Sequence, residues 1–229
     1  MKKTATILAL LASCSLVGSA FAANVMRISQ VYGGGGNSGA TYTYDYVELH
    51  NSSGLPVDIS GWSLQYGSAT GTVDLGACVN CLTVFPPGSV VPACGYYLVQ
   101  LAAGATPVAD LPVTPDLVIP QATANNLSAT SGKIALKADA LTTPCAGVFV
   151  DLVGYGTPNC FETAAAGSPS NSSMEVRNGA GSVDSDNNLN DFTVVAAAVP
   201  RNSQSAPNPN CQVTPNLNQT WGTLKTIYR

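Results

Sequence analysis

Apolar residues in this chain recur at every second position over short stretches. Val47 and Leu49 flank Glu48, and Ile134 and Leu136 alternate with Lys133, Ala135 and Lys137. A period of two is that of a strand with one face buried. Runs of this kind, or β-branched ones, predict strands at Val25 to Tyr32, Tyr44 to Asn51, Trp62 to Tyr66, Tyr96 to Leu101, Lys133 to Ala138, Val148 to Val153 and Ser173 to Arg177. Clusters of Gly, Pro, Asn and Ser cut them apart. No stretch among them carries a long helical repeat bounded by caps. The pattern predicts an all-β antiparallel sandwich with loop insertions rather than an α/β fold.

Two connections interrupt this rhythm. Val108 to Asn126, rich in Pro, Thr and Asn, reads as a long surface excursion. Val199 to Asn218 carries four prolines and reads as a domain end running into a linker. Beyond it, Trp221, Leu224 and Tyr228 stand at helix-like spacing, a turn too short to be stable alone.

The first residues follow another logic. Lys2 and Lys3 precede an apolar run from Thr4 to about Val17, which closes on Ala20-Phe21-Ala22, the small-x-small pattern of signal-peptidase cleavage. Cutting after Ala22 leaves 229 − 22 = 207 residues. The expected organisation is a signal peptide at 1–22, one domain at 23–211, and a linker with a short tail at 212–229. A competing reading takes Leu11-Ala12-Ser13-Cys14 as a lipobox, with a lipid on Cys14 anchoring a periplasmic or outer-membrane lipoprotein. The apolar Leu16 to Ala22 would be a poor tether, so free secretion is preferred. No apolar run is long enough for a transmembrane span.

Composition narrows the partners. The mature chain keeps 7 Lys and Arg against 13 Asp and Glu, a net charge of −6. Without a basic stripe to neutralise phosphates, nucleic acid is an unlikely electrostatic partner. Six cysteines remain, Cys78, Cys81, Cys94, Cys145, Cys160 and Cys211, an even number that predicts up to three disulfides in an oxidising compartment. A local Cys145–Cys160 bridge is expected. The strand between them would hold the two too far apart if extended, since it rises about 3.3 Å per residue, so Pro144, Gly147, Gly156 and Pro158 must fold its flanks back. The competing pairing joins either cysteine to one of the other four.

Three segments then identify a relationship: Ile28-Ser29-Gln30-Val31-Tyr32-Gly33-Gly34-Gly35-Gly36-Asn37-Ser38-Gly39, Tyr46-Val47-Glu48-Leu49-His50-Asn51, and Val57-Asp58-Ile59-Ser60-Gly61-Trp62-Ser63-Leu64-Gln65-Tyr66. With Gly95 to Val99, Ser131 to Leu136 and Asp151 to Gly156, this ordered series resembles the lamin tail domain family in its bacterial exported form. The resemblance implies an immunoglobulin-like sandwich. In nuclear lamins that domain is a non-enzymatic surface for proteins and chromatin; in bacteria it is often an accessory module fused to exported hydrolases. This chain carries neither a coiled-coil rod nor a fused catalytic domain. In the Asp58 to Trp62 stretch, Gly61 permits a sharp turn and Trp62 returns as a core anchor, a reading preferred to a sugar-stacking Trp.

The remaining motifs have ordinary readings beside sharper ones. Gly33 to Gly36 lacks the Lys-Ser/Thr ending of a phosphate loop and is taken as a flexible hairpin loop. Cys78-Val79-Asn80-Cys81 suits redox chemistry or zinc, but with no βαβ context and His50 the sole histidine a disulfide is preferred. The loop from Asp184 to Asp191 concentrates oxygen ligands, and Asp184, Asp186, Asn188 and Asp191 are the candidate calcium set. An EF-hand is excluded, because Leu189 stands where the turn glycine belongs, and Asx-turn capping is preferred. No catalytic residue is assigned. There is no nucleophile elbow, and nothing in the sequence brings Asp45, Glu48, Asp151, Glu162 and Glu175 together as acid and base. The expectation is a secreted, non-enzymatic binding or adhesion module with a protein or cell-surface ligand and no cofactor. The alternatives are an accessory domain for a separately encoded nuclease or phosphoesterase, and a metal-dependent hydrolase built on the Asp184 loop.

Overall fold

The computed structural model describes residues 25–211; the signal peptide expected at 1–22, Cys14 and the tail expected at 212–229 lie outside the described residues. Strands β1 (Met26–Tyr32), β2 (Tyr44–Asn51), β7 (Tyr96–Ala103), β8 (Leu117–Val118), β11 (Ser173–Arg177) and β12 (Phe192–Ala196) form a six-stranded sheet in the order β12-β11-β1-β2-β7-β8. Strands β4 (Ser63–Ser68), β5 (Leu82–Val84), β9 (Gly132–Lys137) and β10 (Asp151–Tyr155) form a second sheet, β10-β9-β4-β5, while β3 (Val57–Asp58) pairs with β6 (Val90–Val91). All pairings are antiparallel except β7 with β8. A helix of one turn, α1 (Asn188–Asp191), precedes β12. This is the all-β sandwich that the strand pattern predicts, in the immunoglobulin-like form that the family resemblance implies.

Alternation sets the core. Ile28, Val31, Val47, Leu49 and Val99 from the larger sheet meet Leu64, Tyr66, Ile134, Leu136 and Val153 from the smaller one. Gly61 takes φ +77°, and Trp62 returns into this cluster. The larger sheet is sealed on its outer face as well. Tyr32, Tyr42, Tyr46, Leu98 and Met174 form a second apolar cluster there, packed by Leu111 and Val113 of the Pro-rich excursion. A strap from Ala198 to Cys211 crosses the same face and covers Glu48 and His50 of β2. The Val199 stretch read as the start of a linker is therefore bound to the sheet as far as Cys211.

Gly33 to Gly36 lie in the loop that joins the antiparallel pair β1–β2, as expected of a hairpin, but they are buried rather than flexible. A Cβ on Gly33 would lie 2.3 Å from the Ser128 carbonyl oxygen, and one on Gly35 2.3 Å from the Asp45 nitrogen. Gly36 adds φ +60° and would meet the Gly104 backbone at 2.6 Å. Close approach of three backbones is what requires glycine here. Gly36→Ala is expected to lower stability by about 2 kcal/mol, through left-handed strain and backbone collision. Urea unfolding measures it, and an unchanged midpoint would exclude the packing account.

Three disulfides join Cys145 to Cys160, Cys94 to Cys211 and Cys78 to Cys81, with Cα separations of 5.7, 5.5 and 5.2 Å. The Cys145–Cys160 flank turns at Pro144, whose carbonyl accepts the Gly147 N–H at 2.8 Å.

Candidate functional site

Two polar constellations stand out, both assembled from distant parts of the chain. The first lies beneath the strap. On β2, Glu48 and His50 point away from the main core, yet both are fully buried. Arg201 of the strap reaches down to Glu48, its Nη2 donating to Oε1 at 2.6 Å and its backbone N–H to Oε2 at 2.6 Å. Ser29 Oγ and Gln30 Nε2 donate to the same carboxylate at 2.5 and 3.1 Å. Burial pushes the Glu48 carboxyl up, and the Arg201 guanidinium pulls it back. That guanidinium also stacks on Tyr96, 3.8 Å from the ring centroid, and donates to its hydroxyl at 2.7 Å.

His50 completes the network. Its Nδ1 lies 3.0 Å from the Gly95 carbonyl oxygen, a pure acceptor, so Nδ1 carries the proton. Nε2 is then bare and accepts from Asn208 Nδ2 at 3.3 Å. Burial lowers the imidazole to about 4, and the nearby Arg201, Arg27 and Arg177 add to the effect. A neutral histidine with both nitrogens engaged serves as a strut rather than a base. Asn208 also donates to the Gly179 and Ala180 carbonyls, and Cys94–Cys211 pins the strap beside it.

The second constellation surrounds Arg177 at the end of β11. Its Nη2 donates to both oxygens of Asp151 on β10, at 2.8 and 2.7 Å, so this buried pair joins the two sheets. Nε donates to the Ile28 carbonyl at 2.8 Å, and the guanidinium sits 4.5 Å from the Phe192 ring centroid. Asp184 lies 3.3 Å from Nη1 and also holds Arg27 at 2.9 Å. Carboxylate atoms of Asp151, Glu162 and Asp184 approach within 4.8 Å of one another. The Arg177 guanidinium supplies the positive charge such a cluster needs. Burial raises the Glu162 carboxyl to about 8, and the Asp151 charge adds to this.

Of the four candidate calcium residues, Asp184 and Asp191 both approach Arg177 Nη1, at 3.3 and 3.7 Å, while Asp186 and Asn188 turn elsewhere. Asp184 faces the arginines, and Asp186 is exposed at φ +53°. Asn188 is buried; its Oδ1 accepts from Gly154 N at 2.9 Å while its Nδ2 donates to Leu152 O at 2.8 Å. Asp191 caps the loop, accepting from Ser185 N and Oγ at 2.9 and 2.7 Å. The five carboxylates considered for acid–base work scatter similarly. Asp45 accepts the Gly35 and Leu127 N–H groups, and Glu175 stands alone in the core with neither oxygen hydrogen-bonded. Only Asp151 and Glu162 meet, because the Cys145–Cys160 bridge folds the 158–162 flank back beside β10. Sequence spacing gave no signal for that meeting.

Between the strap and β12, the outer face opens into a groove of about 450 Å³. Val176, Val195, Ala198 and Val199 line it, with Gln30, Asn178 and the two arginines, Arg177 and Arg201, adding polar atoms. The strap and the edge strand that build it carry no sequence motif.

No curated protein matches the chain. Among solved structures, a DUF4876 family protein from Bacteroides thetaiotaomicron is 11% identical, with a TM-score of 0.43, over 84% of this chain and 75% of that one. The family model described as Lamin Tail Domain matches residues 19–157. That match spans more than half of the sequence and takes in strands β1 to β10, while Arg177 on β11 and Arg201 on the strap lie beyond it. The chain therefore belongs to the lamin tail domain family.

Proposed function

We propose that this protein is a secreted, non-enzymatic binding module that recognises another protein or a cell-surface ligand. One observation carries the reading: Arg177 and Arg201, which form part of the groove wall, spend their hydrogen bonds on Asp151 and Glu48, while the groove between Val176, Val195 and Val199 stays open. An internally neutralised network stabilises a scaffold, whereas an open apolar groove with a few polar atoms suits recognition. The lamin tail domain is a non-catalytic, immunoglobulin-like fold, which supports the same reading. The three disulfides fit an oxidising, extracytoplasmic compartment.

The test immobilises the mature protein and a Val195→Arg variant, and exposes both to cell-surface and secreted extracts. Expected is one protein or glycan ligand captured saturably by the parent and lost by the variant. An exported nuclease or phosphoesterase as the captured ligand would identify this module as its accessory domain. Equal capture by both, or robust turnover of ester or phosphoester substrates by the purified chain, overturns the reading.

A further inference from the structure

The three disulfides do different mechanical work. Cys94–Cys211 fastens the strap across 117 residues of sequence, and Cys145–Cys160 clamps the flanks of β10, with Cys160 buried against Leu75, Ala135 and Leu152. In both, the packed fold itself holds the two thiols together after reduction, so re-formation is favoured. Cys78–Cys81 spans three residues and ties one surface turn to itself. Cys81 is only 6% exposed, and its backbone is fastened to β4, its carbonyl accepting the Tyr66 N–H at 2.8 Å. Cys78 is exposed, and its backbone carbonyl is bonded only to the Cys81 N–H, at 3.2 Å. Between them Val79 is 90% exposed and Asn80 takes φ +58°. Asn80 Nδ2 donates to the Ala122 carbonyl at 2.9 Å and Cys81 sits in the main core, so opening the bridge frees the Cys78 side of the turn while these contacts hold the other.

We propose that Cys78–Cys81 is a thiol–disulfide exchange site whose substrate is an accessible external thiol. Exposure alone does not single it out, since Cys145 is exposed too; the absence of a fold-imposed clamp does. An incoming thiolate attacks the exposed Cys78 Sγ, forming a mixed disulfide as the Cys78–Cys81 bond breaks and Cys81 leaves as a thiolate. A second external thiolate then attacks the incoming sulfur and releases Cys78. Two external thiols end as one disulfide, and their two electrons and two protons end on the Cys78 and Cys81 thiols. The inference extends beyond the binding role and does not depend on it.

The mature protein is equilibrated over a series of reduced-to-oxidised glutathione ratios, quenched in acid, alkylated and mapped by peptide mass spectrometry. Expected is alkylation of Cys78 and Cys81 at a ratio at least about tenfold lower than the other four require, with the circular-dichroism spectrum and thermal midpoint unchanged. A Cys81→Ser variant treated with oxidised glutathione is expected to hold the adduct on Cys78. Opening of all three bridges together, or of Cys78–Cys81 last, overturns the proposal, as does a Cys81→Ser protein that takes up no glutathione.

Discussion

Arg177→Leu is expected to lower the stability of the folded chain by about 3–5 kcal/mol, the cost of removing one partner of a buried ion pair. Arg177 is fully buried, and Asp151 is 4% exposed. Their double hydrogen bond runs between β11 and β10, one strand from each sheet. Without the guanidinium, Asp151 keeps only the Ile28 N–H at 2.5 Å and must take up a proton or remain an uncompensated charge. Against a total stability of about 5–15 kcal/mol for an ordinary domain, such a loss leaves the variant marginal. The double variant Arg177→Leu/Asp151→Leu removes both charges and is expected to recover much of the loss. Urea unfolding of parent, single and double variants at one pH measures this. A double variant no more stable than the single one would show that the pair's charges are not what is being lost.

The second large effect is a change in pH dependence on Glu175→Gln. Glu175 is fully buried opposite Val31 and Val194, and burial alone raises its carboxyl to about 7 from an ordinary 4.5. A group that binds its proton more tightly when folded stabilises the fold fully below its unfolded pKa. That contribution is lost as pH rises through the folded value. Across the window from 4.5 to 7 the loss reaches about 3 kcal/mol. Glutamine keeps the shape without the titration, so the stability of the variant relative to the parent is expected to rise from below pH 4.5 to pH 8. Asp45 and Glu162, raised to about 7 and about 8, act in the same direction in both proteins, so the difference between them isolates Glu175. His50 acts oppositely: lowered to about 4, it gives stability that is lost as pH falls from 6.5 through 4. Identical pH profiles for parent and variant would remove Glu175 as the source.

The central strands were legible because alternation is local: β2 and β9 begin and end within a residue of where their apolar positions place them. Short edge elements were not. β3, β6 and β8 have two residues each, and β12 follows an Asp-rich loop with no alternating polar partner. Alternation also describes β2 as half-buried, with Glu48 and His50 on a wet face. It says nothing of a strap arriving from 150 residues downstream to seal that face. The same limit governs the carboxylates. Asp184 to Asp191 is conspicuous because its oxygens are contiguous in sequence, whereas the Asp151–Glu162–Asp184 cluster exists only once a turn, a disulfide and two sheets have closed around Arg177. Glycine at 33–36 reads as a flexible hairpin loop, because sequence does not distinguish a residue that must bend from one that must make room.

The place of β1 inside the larger sheet has a consequence for timing. β1 pairs on one side with β2, soon after it in the chain, but on the other with β11, where Gln30 faces Val176. A ribosome adding about 5–20 residues per second needs about 7 to 30 s to make the intervening stretch. Throughout that interval the future centre of the sheet is an unpaired edge, able to pair with a neighbouring chain. Pairing at such separation is slow to form in any case, because closing a long loop costs entropy before its contacts are made. Delivery across a membrane before folding would keep that edge extended and solitary until its distant partner had followed.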